Sequence, residues 1–393
     1  MVRIPVVFVG ASPQKLYLRT LKMEIVINTV PLLGPLTGVG HYIYSLLIEF
    51  QRLRPDFTYT FYCGYFSKKP KMYREGAGFY RLKEWVKKNS AFSTCARKLG
   101  HTLPQINFKE YDVYFEPNFI PLAIRSKRIV TTVHDFSFHL YPEWQPRERV
   151  NYFSKNFFKR IEKADLIITG SRYIEREAQE LLNGKGLRIV TIYYGYNNSL
   201  FHAHQEAEES KANRLGDYIL FVGSIEPRKN LLGLLKAYLL LPEYMKKDFQ
   251  LLLIGYRGWG NREIVAQMDQ LKGSVNYLGY LSDEALATLY RGASCLVFPS
   301  FYEGFGLPPL EAMACGCPVI VSNVASLPEV CGDAGYYVDP YRVESIAEGI
   351  YQVLTDESLR QSLIEKGLIR AKLFSWEKSA EEHLKVFEEV LSS

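Results

Sequence analysis

The stretch SCLVFPSFYEGFGLPPLEAMACGCPVIVS, residues 294–322, decides the fold. Two apolar runs, SCLVFPS and PVIVS, bracket a loop and a short polar-to-apolar segment. Short apolar runs bounded by turn residues read as buried strands, and a helix between them makes a βαβ unit. Pro308 to Ala314 reads as that helix, entered through proline, which the first helical position favours. Glu303 then lies on the loop after a strand, and Glu311 in the first helical turn. In an open α/β sheet, ligands bind in the crevice beyond the strand ends.

The same alternation runs through the whole chain. EIVINTV, TYTFYCG, VYFEP, IVTTVHD, DLIITGS and RIVTIYYG read as one series of strands. YILFVGS, FQLLLIGY, VNYLGYL, SCLVFPS, PVIVS and GYYVDP read as a second. Strands alternating with helical patterns indicate parallel sheets, and 393 residues exceed one ordinary core. Between the series, NNSLFHAHQEAEESKANRLGD is polar and acidic without apolar periodicity, so it reads as the linker. The expected fold class is α/β, with two Rossmann-like domains whose parallel sheets face a deep cleft. Residues 1–22 read as an extension before Met23, 23–205 as the first domain and 206–375 as the second. Residues 376–393 read as an amphipathic helix.

Composition is that of a globular protein, 47% hydrophobic and 23% charged. No apolar run approaches the roughly 18–20 residues that span a bilayer. Six cysteines stand at 63, 95, 295, 315, 317 and 331. Only Cys315 and Cys317 are close, and Cys-Gly-Cys is not a common zinc spacing. Buried free thiols in a reducing compartment, the cytoplasm, are expected. Residues 1–200 hold 30 Lys/Arg against 16 Asp/Glu, and residues 201–393 hold 18 against 26. A basic half beside an acidic half suggests that the first meets an anionic surface or substrate.

Four constellations carry chemistry. In PLLGPLTGVGHY (31–42), Gly38 and Gly40 let backbone approach an anion at a helix start, or make a plain tight connection. VGSIEPRKN (222–230) places Gly223 at a strand end and Arg228 and Lys229 before a helix. Cations there oppose the helix dipole, which favours an anion arriving between them. TTVHDFSFHLYPEW (131–144) puts His134 and Asp135 at a strand end. His134 reads as a group that stabilises charge or binds a sugar, or as a satisfied structural histidine. A metal pair with His139 lacks a third ligand. In the opening stretch, Glu303 and Glu311 border the Gly304-Phe305-Gly306 turn. Carboxylates there accept from sugar hydroxyls while amides, Arg228 and Lys229 hold phosphate. The ligand class that fits is a nucleoside diphosphate sugar.

Glu303 and Glu311, with seven residues between them in FPSFYEGFGLPPLEAMACGCPVIVSN, resemble the signature of retaining glycosyltransferases of family 4, with the GT-B fold. ILFVGSIEPRKN, YLGYLSDEALATLYRGA, SLPEVCGDAGYYVDP and FSWEKSAEEHL extend the resemblance over about residues 23–390. TGVGHY and VTTVHD are similar to bacterial mannosyltransferases of surface polysaccharide (lipopolysaccharide, exopolysaccharide) synthesis. The resemblance implies that Glu311 binds the ribose hydroxyls and Glu303 the transferred sugar. The amides of Gly304, Phe305, Gly306 and Leu307 meet sugar and phosphates, Arg228 and Lys229 the diphosphate, and His134 the region of the anomeric carbon. Gly38 and Gly40 fall in the family's first glycine-rich loop, and the resemblance implies that the helix of residues 376–393 packs back on the first domain. Ser224 departs from the pattern, standing where many members carry arginine. No cofactor, no metal and no nucleic acid are expected. The donor reads as GDP-mannose and the acceptor as a glycan or lipid-linked glycan. A UDP-sugar donor, or a non-catalytic sugar-nucleotide-binding subunit, stands as the alternative. The basic, aromatic segment 68–100 is a candidate surface for the inner, cytoplasmic face of a membrane.

Overall fold

A computed structural model describes residues 22–34, 36–72, 109–203, 217–259, 262–271 and 273–393. The extension up to residue 21, the core of the linker and all but the first residues of the 68–100 segment lie outside the described residues.

The first sheet holds β1 Glu24–Asn28, β2 Thr58–Tyr62, β3 Phe66–Ser67, β4 Tyr111–Glu116, β5 Ser126–Val133, β6 Leu166–Thr169 and β7 Arg188–Thr191. Their order is β3-β2-β1-β4-β5-β6-β7, parallel except for the β2–β3 pair. The second sheet holds β8 Tyr218–Val222, β9 Gln250–Ile254, β10 Val275–Gly279, β11 Cys295–Phe298, β12 Val319–Ser322 and β13 Gly335–Val338. It is wholly parallel, in the order β10-β9-β8-β11-β12-β13. Helices cover both faces of a parallel sheet, so its strands read as continuous apolar runs. β8, YILFV, is buried at every position. Strand order reverses between β1 and β4 and again between β8 and β11, and those two switch points lie where a doubly wound fold binds ligands.

Two differences from the sequence reading are local. β3 was not anticipated: two residues of an antiparallel edge carry no periodic signal. The helix after β11 is Leu307–Ala314, starting one residue before Pro308, so Glu311 is its fifth residue and lies past the first turn.

The final helix, Trp376–Ser392, buries Trp376, Ala380, His383, Leu384, Phe387 and Val390 along one face. That face meets the first domain. Phe387 packs edge-on to Phe50 and tilted against Phe115, with centroids 5.7 and 5.2 Å away. Burying a ring of this size contributes about 1.5–3 kcal/mol. His383 Nδ1–H donates to the Ser379 carbonyl (2.6 Å), so its Nε2 accepts from Tyr42 OH (2.8 Å). Gly195 makes the crossing possible, since a Cβ there would sit 2.1 Å from the Trp376 amide nitrogen.

Loops after the strands of one sheet meet loops after the strands of the other. Ser171 Oγ donates to the Gly304 carbonyl (2.8 Å). The Glu329 carboxylate accepts from the amides of Arg172 and Tyr173 (2.7 and 3.0 Å) at the start of the first-domain helix Arg172–Leu181. Trp259 Nε1–H donates to the Trp144 carbonyl (2.6 Å). The cleft between the sheets is closed along these contacts. Cys63, Cys295, Cys315, Cys317 and Cys331 are buried free thiols, and among the described residues no helix is long and apolar enough to cross a membrane.

Candidate active site

The second sheet's switch point gathers most of the residues singled out above. After β8 the chain makes a single 3-10 turn, Pro227–Lys229, ended by Asn230 at φ +55°. Asn230 locks this turn: its Nδ2 donates to the carbonyls of Pro299 and Pro340 (3.0 and 2.7 Å), and its Oδ1 accepts from the Gly233 amide. The cations are thereby set against the loop after β11. Lys229 Nζ donates to Glu303 Oε1 (2.5 Å) and Arg228 Nη1 to Glu303 Oε2 (2.8 Å). Arg228 also pairs with Glu226 (3.1 Å). Gly223 lies beneath the lysine stem, with a would-be Cβ 3.7 Å from Lys229 Cδ and Cε.

Glu303 and Lys229 are only 5% and 7% exposed, so this is a buried ion cluster. Burial pushes the Glu303 carboxyl up, but Arg228 and Lys229 more than offset it and hold the pKa below the usual range. Burial likewise opposes the Arg228 charge, and Glu303, Glu226 and Asp135 outweigh it. The sequence offered two cations awaiting an anion. The structure already gives both a carboxylate, from a residue more than 70 positions away.

The turn beside Glu303 is built for close approach. Gly306 sits at φ +113°, a conformation glycine reaches without strain. Pro308 and Pro309 then occupy the helix's first turn without N–H groups. Among the described residues no protein acceptor takes the N–H of Gly304, Phe305, Gly306 or Leu307. Successive free amides at a helix start form an anion cradle. Ser326 Oγ–H, shared between the carbonyls of Glu303 and Phe305 (2.8 and 2.9 Å), fixes the loop from behind.

Glu311, partly buried, accepts from Tyr290 OH (3.2 Å) and stands near Asp283, which pairs across the junction with His41 at 3.6 Å. Burial first, and then Asp283, push the Glu311 pKa up to about 8. The folded state therefore keeps a proton that the unfolded chain releases, and this residue erodes stability as pH rises from the ordinary carboxylate range through about 8. Glu311→Gln is expected to flatten that decline and to melt higher than wild type at pH 8. Thermal melts of both proteins across the window check this, and parallel curves would contradict it.

On the facing domain, His134 is 9% exposed. Its Nε2–H donates to the Pro117 carbonyl (2.9 Å), so Nδ1 accepts from Tyr194 OH (2.6 Å). Burial lowers its pKa to about 4, and the ring is neutral. Both ring nitrogens are engaged within the first domain, which favours the satisfied structural histidine among the two readings of the ring. The part of His134 that faces the second domain is its carbonyl: a Cβ on Gly304 would lie 1.9 Å from that oxygen. His139, by contrast, is exposed and packs on Phe158. Gly38 approaches the helix Leu307–Ala314, its would-be Cβ 3.8 Å from Leu307 Cδ1, whereas Gly40 packs against Leu36 of its own loop.

The sequence reading gives three further acidic residues no role. Asp135 adds a first-domain carboxylate beside Arg228, and Glu226 sits inside the quoted VGSIEPRKN stretch. Glu116 is buried at the end of β4 and accepts from Asn28 Nδ2, Tyr114 OH and the Asn118 amide. Burial raises its pKa to about 8. Adjacency to the motifs was the available signal for Asp135 and Glu226, and nothing in the sequence marked Glu116.

Residues 202–370 match the family described as glycosyl transferases group 1. O-antigen chain mannosyltransferase B of Escherichia coli is 38% identical over 372 residues, covering 90% of this chain and 97% of that protein. Among solved structures, sucrose-phosphate synthase from Thermosynechococcus elongatus superposes with a TM-score of 0.67 at 21% identity, covering 94% of this chain and 99% of that one. WaaG, a glycosyltransferase involved in lipopolysaccharide biosynthesis, gives 0.65 at 16%, covering 93% and 99%. These structures share the two-domain GT-B architecture, and the 38% identity extends across nearly the whole of the E. coli relative. The chain belongs to the glycosyl transferases group 1 family.

Proposed function

We propose that the chain is a retaining, metal-independent mannosyltransferase that moves mannose from GDP-mannose to a glycan or lipid-linked acceptor in surface polysaccharide synthesis. The observation that carries this reading is the Arg228–Lys229–Glu303 cluster beside the free amides of residues 304–307. The mannosyl assignment is supported by the O-antigen mannosyltransferase relative. Such work at the inner face of the cytoplasmic membrane fits the basic first half of the chain.

In this reading Glu311 takes the ribose hydroxyls and Glu303 the sugar hydroxyls. The amides of Gly304 to Leu307, with Arg228, Lys229 and the Gly38 loop, take the diphosphate. The bond from the anomeric carbon to the phosphate oxygen breaks, and its electron pair stays on the phosphate. The acceptor hydroxyl forms the new bond from the same face, and its proton passes to the departing phosphate. Preorganised donors aimed at developing charge are worth most in a dry site. Two cations here face Glu303, Glu226 and Asp135, so the amides must carry a substantial share of the phosphate charge. The His134 carbonyl, at the seam with Gly304, is placed to bound the sugar pocket.

A ligand that binds only the native state raises Tm by mass action, by about 2.7 kcal/mol of stability at a hundredfold excess over Kd. Without added metal, GDP and GDP-mannose are expected to raise the Tm, UDP and ADP to do so far less, and Arg228→Ala to abolish the shift. A shift with UDP alone would overturn the donor assignment. No shift with any nucleotide would overturn the catalytic reading.

A further inference from the structure

Tyr302, the residue before Glu303, belongs to the second domain but is buried in the first. It is 1% exposed within an apolar cluster whose other buried members, among them Phe136, Phe157 and Ile174, all come from residues 119–182. A buried phenol needs hydrogen-bond partners, and Tyr302 finds both across the junction. Its oxygen accepts from the Phe136 amide (3.0 Å), and its hydroxyl donates to Glu177 Oε2 (2.5 Å) on the helix Arg172–Leu181. Phe136 directly follows Asp135 and lies two residues past His134. On the other side, Arg228 Nη1 donates to the Tyr302 carbonyl (3.2 Å) as well as to Glu303. One residue is therefore tied by its backbone to Arg228 and by its side chain to the His134 loop.

We propose that Tyr302, seated on Glu177 and the Phe136 amide, is a positioning residue that sets Glu303 in register with the His134–Asp135 loop when the cleft closes. Opening the cleft must withdraw the ring from its cluster and break both bonds. Closing it restores a single seat, because the phenol has one donor and its partners are a fixed amide and a carboxylate. Arg228, Lys229, Glu303 and Glu311 lie in the second domain and only the Gly38 loop reaches the diphosphate from the first, so the seat acts on the closed, reactive state and leaves most of nucleotide capture alone. The inference rests on the glycosyltransfer reading of this site.

Tyr302→Phe tests it, because the ring stays and only the hydroxyl is lost. We expect kcat to fall at least tenfold while the Kd for GDP changes less than twofold. Glu177→Gln, whose amide oxygen still accepts from the phenol, should retain most of kcat, and Glu177→Leu should behave like Tyr302→Phe. Hydrogen exchange of the Phe136 amide gives a readout independent of donor and acceptor, and should speed up at least tenfold in Tyr302→Phe. Unchanged kcat, a parallel loss of GDP affinity, or unchanged Phe136 protection would each overturn the proposal. Failure of the wild-type protein to bind any nucleotide would instead strike the glycosyltransfer reading, leaving the exchange experiment to decide the seat by itself.

Discussion

Glu303→Ala is expected to destabilise the protein by about 3–5 kcal/mol, the usual cost of removing one partner from a buried ion pair. Both carboxylate oxygens are in use, one on Lys229 Nζ at 2.5 Å and one on Arg228 Nη1 at 2.8 Å. Lys229 is 7% exposed and lies 4.7 Å from the centroid of Phe298, so losing the carboxylate leaves its charge in a largely buried setting. Arg228 retains Glu226 and the neighbouring Asp135, which makes the lysine the main sufferer. Chemical unfolding of wild type and variant measures the loss, read from the midpoint at constant m-value. Glu303→Ala with Lys229→Met should recover part of it, since both charges are then gone. A loss below about 1 kcal/mol, the range of exposed pairs, would mean that the cluster is solvated and the cleft open in solution.

Gly304→Ala is expected to cost about a hundredfold in transfer while sparing nucleotide binding. The added methyl would meet the His134 carbonyl oxygen at 1.9 Å, its carbon at 3.0 Å and Asp135 Cβ at 3.3 Å. The nearest of these is backbone and cannot rotate away. The two domains must separate by on the order of 1 Å, and misplacement of that size costs about a hundredfold in a positioned reaction. The Ser171–Gly304 bond across the same seam is strained or lost as well. Arg228, Lys229 and Glu311 lie within the second domain, so GDP affinity should stay within a few-fold. Steady-state kinetics beside GDP titration separate the two effects. Activity within threefold of wild type would show that this seam is not closed during turnover.

The architecture was largely legible because parallel strands, buried on both faces, are continuous apolar runs. Every run that was read as a strand contains one, and β8 and β11 with their following loops delivered Arg228, Lys229 and Glu303 to one place. Partnership was not legible. Glu303 and the cations lie more than 70 residues apart, and only the switch-point geometry shows that each cation meets a carboxylate. The sequence left the His134 ring open between two readings because Pro117 and Tyr194, which satisfy its two nitrogens, lie 17 and 60 positions away at the ends of other strands. Tyr302 was visible only as a neighbour of Glu303. Its seat in the other domain depends on how the sheets are brought together, which no local pattern encodes.

The central claim is that this closed, amide-lined cluster transfers mannose with retention. The most direct measurement is incubation of the purified protein with GDP-mannose and a mannose oligosaccharide in excess EDTA, followed by NMR of the product's anomeric linkage. The account predicts GDP release matched by a new mannosidic bond that keeps the donor's α configuration. A β-linked product, or transfer that requires an added divalent metal, would contradict it.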